Sequence, residues 1–141
     1  MKIAFIVLTS IVLLTTFACQ KTKNADVDAF ISTHSTIVND VVQIVTTDPS
    51  VQGVEKAQKY FDQRRADLRA KLDKMDRVQA ADVNEDQMKK FQEQLWTDND
   101  KLFSPVKTLA SNTTWDTAAV EKYNRLIADI RLQTPSEKQA K

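Results

Sequence analysis

A single glycine, Gly53, in a chain of 141 residues closes off most of the folds open to a protein of this size. Tight β-hairpin turns, phosphate-cradling loops and dinucleotide-binding folds all need glycines at set positions, because only glycine enters their left-handed or close-approach backbone conformations freely. Beyond Cys19 the composition is dominated by Ala, Leu, Gln, Lys, Arg, Asp and Glu. The apolar residues there recur at helical rather than alternating spacing. The expectation is an almost wholly α-helical domain.

Four amphipathic segments carry that pattern. The first is expected to start near Asn24 or Asp26, either of which can accept from free first-turn N–H groups, and to run to about Thr46. Val27, Ile31, His34, Val38, Val41 and Val45 repeat there at alternating steps of four and three, which makes one broad apolar face. Asp48-Pro49 then signals a restart, with Asp48 or Ser50 as cap. The second helix is expected to reach about Val78, with Val54, Ala57, Phe61, Leu68, Leu72 and Met75 inward. Asp82 followed by Glu85 resembles a capping box for the third, whose stripe is Met88, Phe91, Leu95, Leu102, Val106 and Leu109. Pro105 lies inside that stripe and predicts a kink or break near Lys101 to Ser104, since it removes one helical hydrogen bond. The fourth helix is expected from about Asp116 to Gln133, with Pro135 ending it.

Connections this short make consecutive helices antiparallel, so the predicted architecture is an up-down-up-down four-helix bundle; the alternative is a three-helix core with a loosely docked fourth helix. Between Pro49 and Gln79 there are eight basic and five acidic residues, and between Asp82 and Lys101 six acidic and three basic. That contrast predicts that the second and third helices attract each other along their rims. The whole chain holds 20 basic and 19 acidic residues, with no basic block. Nucleic acid is therefore excluded as the expected partner, because phosphate binding draws its affinity from clustered Lys and Arg.

The N-terminus has a different character. Lys2 precedes an apolar run from Ile3 to Phe17, followed by small Ala18 and the only cysteine, Cys19. A charged, apolar, small-residue order of this kind is a secretory signal, and the run, interrupted by Thr9, Ser10, Thr15 and Thr16, is short for a spanning helix. The segment Leu14-Thr15-Thr16-Phe17-Ala18-Cys19 resembles the lipobox of bacterial lipoproteins, with Thr16 where that pattern usually has Leu. The resemblance implies cleavage before Cys19, acylation of that residue and attachment to a membrane of the cell envelope. With Gln20 rather than Asp next, it implies the periplasmic face of the outer membrane in a bacterium with two membranes. Removal of residues 1–18 takes Lys2 with it and leaves 19 charges of each sign. The domain organisation expected is then signal peptide 1–18, lipidated tether 19–25, helical bundle 26–134 and disordered tail 135–141.

Chemistry has few places to reside. His34, the only histidine, interrupts the first apolar face, and pairing of successive helices around their turns would put Arg65 and Asp98 in its layer. One reading is a polar layer that fixes helix register, with Arg65 and Asp98 as an ion pair, or side chains that simply reach solvent at the bundle edge. The other is a small-ligand or proton-responsive site, histidine being the side chain that ordinarily titrates nearest neutrality. A di-iron centre needs paired Glu-x-x-His motifs, and haem would have to use His34 with Met75 or Met88, residues better explained as core. No cofactor or metal is expected. One glycine forbids a G-x-S-x-G nucleophile motif, and no serine or cysteine is evident as a partner for His34, so no enzymatic activity is expected. Trp96 and Trp115 are the candidates for a recognition surface, with core-edge packing as the alternative role. The function expected is a lipid-anchored, non-catalytic envelope protein that binds another protein or has a structural role, with a carrier or pH sensor built on His34 as the alternative.

Overall fold

The computed structural model describes residues 2–76, 83–110 and 115–134, with side chains from residue 24 onward except at 109 and 110. Within them the chain forms four helices: α1 (Lys2–Thr47), α2 (Val51–Met75), α3 (Glu85–Ala110) and α4 (Thr117–Arg131). The fold is an all-α, up-down-up-down four-helix bundle. Asp40 of α1 meets Tyr60 of α2, Asp28 and Asn39 of α1 meet Gln87 and Lys101 of α3, and Glu55 and Arg65 of α2 meet Lys122 and Asp129 of α4. Ascending pairs run parallel, so α1 and α3 point one way. α2 and α4 point the other.

The order of helices around the bundle is not the chain order. α1 neighbours α2 and α3, and α4 neighbours the same two, so α2 and α3 occupy opposite corners. The expected attraction between the rims of α2 and α3 is therefore corrected: α4 lies against both, and the ion pairs of α2 go to α4 instead. α4 is an integral part of the core, contributing Ala119, Tyr123, Leu126, Ile127 and Ile130. These meet Phe30, Val38, Val41 and Val45 of α1, Phe61 and Leu68 of α2, and Leu102 of α3 in a single apolar cluster. Full burial of an aliphatic or aromatic side chain contributes roughly 1.5–3 kcal/mol, so this cluster is the main source of stability.

Local chemistry sets the helix ends. Ser50 caps α2 by accepting from the Gly53 N–H at 3.2 Å, and its own hydroxyl donates to Asp48. Gly53 is required by space: a Cβ there would lie 1.8 Å from the Asp48 carbonyl oxygen, so the turn closes tightly on the first turn of α2. Asp116 caps α4 through the Ala118 N–H. At α3 the capping side chain is Asn84, which accepts from Gln87 N–H at 2.7 Å; Asp82, the residue expected to cap, is outside the described residues.

Two further expectations are corrected. α1 does not begin at Asn24 or Asp26 but is helical from Lys2 to Thr47, a stretch that neither glycine nor proline interrupts. Asn24 is no cap, and its side-chain oxygen is buried without a partner. Nor does Pro105 break α3, which continues to Ala110. Pro105 is buried, and close to it the Tyr123 hydroxyl donates to the Leu102 carbonyl at 2.8 Å, adding a cross-helix bond in the turn where the proline removes one. The Ser111 to Thr114 turn, Pro135 and the tail are outside the described residues.

Candidate functional site

The inward stripes of α1 and α3 each carry one polar intrusion, and the bundle joins them. His34 is 2% exposed and Asp98 fully buried. His34 Nδ1 lies 2.9 Å from Asp98 Oδ2. An ionised carboxylate only accepts, so Nδ1 carries the hydrogen and donates. Ser35 Oγ donates to the same oxygen at 2.6 Å, and Gln94 Nε2 donates to Oδ1 at 2.9 Å. Burial pushes the Asp98 carboxyl up, but the hydrogen bonds from His34, Ser35 and Gln94, with the nearby imidazole, outweigh it and hold the group below its ordinary value. Asp98 is thus a buried acceptor hub for three donors from two helices.

Arg65 is not part of this layer. Its guanidinium is 2.9 Å from Asp62 and 3.3 Å from Asp129, over the ring of Phe61, with a side chain 42% exposed. Its length lets it leave an inward stripe and reach solvent at the edge of the bundle. The expected His34, Arg65 and Asp98 triad is therefore a His34–Asp98 pair completed by Ser35 and Gln94. Those two were missed in the sequence although they sit one residue from His34 and one turn from Asp98.

The far side of the imidazole is enclosed by protein. His34 Nε2 is buried with no hydrogen-bond partner, and the ring stacks on Phe30 at a centroid distance of 5.8 Å. No serine, threonine or cysteine occupies the position a nucleophile would need at Nε2 among the described residues. Among the described residues no group of three or more His, Cys, Asp or Glu side chains could hold a metal ion, and no helix is long and apolar enough to cross a membrane.

The two tryptophans separate cleanly. Trp115 is 9% exposed and packs edge-on against Tyr123 at 5.3 Å, so its role is in the core. Trp96 is 76% exposed, and together with Leu132, at 71%, it is the large apolar surface of the described residues. The Cys19 side chain is outside the described residues. Comparison with known protein families, curated proteins and solved structures finds no match to this chain.

Proposed function

We propose that this chain is a bacterial lipoprotein of the cell envelope, anchored through acylated Cys19, whose helical bundle works without catalysis by binding protein or by a structural role close to the membrane. The observation that carries the reading is the position of the only cysteine, directly after Lys2, an apolar run and Ala18. The bundle is consistent with a binding role. Its one polar core cluster ends at an unaccompanied imidazole nitrogen, while Trp96 stands in water on the outer face of α3.

Intact-mass analysis of the N-terminal peptide from envelope-purified protein tests the anchor. The expected result is loss of residues 1–18 and a lipid adduct on Cys19, and Cys19→Ser should release the protein from the membrane fraction. An unmodified Cys19 or an unchanged fractionation removes the reading.

The second reading, a pH-responsive device around His34, is favoured by one observation, the buried and unpartnered Nε2 beside an ionised carboxylate. Its test is His34→Leu. A stability profile between pH 5 and 8 that the substitution leaves unaltered rejects it.

A further inference from the structure

The outer surface of the α3–α4 pair repeats one pattern in opposite order on its two helices. On α3, Trp96 is followed one turn later by Asp100 and three turns later by Lys107. On α4, read in reverse, Leu132 is preceded two turns earlier by Arg125 and three turns earlier by Glu121. All six side chains are exposed. The two helices are antiparallel, and their register follows around the bundle from His34 and Asn39 of α1 meeting Asp98 and Lys101 of α3, Asp40 of α1 meeting Tyr60 of α2, and Arg65 of α2 meeting Asp129 of α4, in agreement with Tyr123 bonding the Leu102 carbonyl. That register sets Leu132 level with Trp96, Arg125 with Asp100, and Glu121 with Lys107. At each level the two helices present an apolar pair or a pair of opposite charges.

We infer that the α3–α4 face is a homodimer interface, in which a second copy docks about a two-fold axis parallel to the bundle. Such an axis sets α3 of one copy against α4 of the other at equal height. Trp96 then meets Leu132 of the second copy, Asp100 meets Arg125, and Lys107 meets Glu121, with each contact made twice. Glu121 and Arg125 make no ion pair with any described residue. Asp100 and Lys107 bond each other at 2.8 Å with side chains 77% and 66% exposed, so exchanging partners sacrifices little. Trp96 and Leu132 supply an apolar contact at one end of the seam, beside the two charged levels.

The geometry also sets the strength. A seam the length of α4 is about 22 Å long and about 20 Å wide across two helices, so the dimer buries on the order of 900 Å² in total. That is below the roughly 1,200–2,000 Å² of a stable specific complex, and a weak association follows, with a dissociation constant on the order of 10–100 μM. Parallel axes leave both α1 helices pointing the same way, so two copies held on one membrane can dock without turning over. The inference goes beyond the proposed anchor and does not require it, because none of the six seam residues is part of the anchoring signal.

Sedimentation equilibrium of the full chain in detergent, with and without Cys19→Ser, tests it. The expected result is a monomer–dimer equilibrium in both. Trp96→Ala and Arg125→Glu should each raise the dissociation constant about tenfold or more, and Asp100→Arg combined with Arg125→Glu should restore it to within about threefold of the parent, because the swapped charges meet again across the axis. A monomer at all concentrations up to about 300 μM, where the expected equilibrium would be mostly dimer, overturns the inference. So does a dimer indifferent to Trp96→Ala, or a double variant no better than the single. An unmodified Cys19 in the parent protein, with the equilibrium intact, rejects the anchor alone.

Discussion

The α1–α3 and α2–α4 seams of this bundle both contain charged side chains, but the two sets do different work. Between α1 and α3 a single carboxylate, Asp98, is fully buried and takes bonds from His34, Ser35 and Gln94. Between α2 and α4, Glu55 pairs with Lys122 and Arg65 with Asp129, every side chain being more than two-fifths exposed. The buried His34 and Asp98 have no solvent beside them to replace a lost partner, whereas the exposed pairs exchange protein for solvent at little cost. Position relative to the core, not the number of charges, decides which seam is held by polar contacts.

The largest expected effect breaks the first seam. Asp98→Ala leaves the buried His34 and the half-buried Ser35 and Gln94 without their acceptor and should cost about 3–5 kcal/mol in unfolding free energy measured by urea denaturation. Asp98→Asn keeps an acceptor for two of them and should cost less. The same pair of proteins sharpens the comparison with pH. The folded carboxyl sits below its ordinary value of about 4, so its contribution is complete above that pH and fades as pH falls through it toward the folded value. Between pH 7 and 5 the gap between the parent and Asp98→Asn should therefore gain no slope from the carboxyl itself. Below about pH 4 it should narrow, and a gap that persists to pH 2 would mean that Asp98 does not act as a carboxylate.

The smallest effect belongs to the second seam. Lys122→Ala should change stability by about 0–1 kcal/mol and lose even that in 1 M salt, checked by the same denaturation series. A cost comparable with that of Asp98→Ala would erase the distinction between the seams.

Much of this fold was legible in the sequence. Helical spacing placed Val54, Ala57, Phe61, Leu68, Leu72 and Met75 inward on α2, and all are buried. The His34–Asp98 encounter was also readable, because both residues interrupt apolar stripes at comparable distances from their turns. Arg65 takes the solvent-reaching alternative rather than the buried ion pair, because a stripe position fixes where a side chain leaves the helix, not where a long one ends. The order of helices around the bundle was hidden for a related reason: short loops specify direction but not the corner to which the next helix goes. The tryptophans differ in a way the stripe does foreshadow, since Trp96 is not among its residues and the structure puts it outward. The continuous α1 escaped because an N-cap residue only permits a helix to begin and does not force one to end.

The two indoles give the molecule a built-in optical gauge. Trp115, sealed against the ring of Tyr123, should emit at short wavelength and be spared by iodide, while Trp96, washed by solvent, should emit further to the red and be quenched. One spectrum then reads two quantities at once: melting of the core from the first chromophore, and coverage of the outer face of α3 from the second.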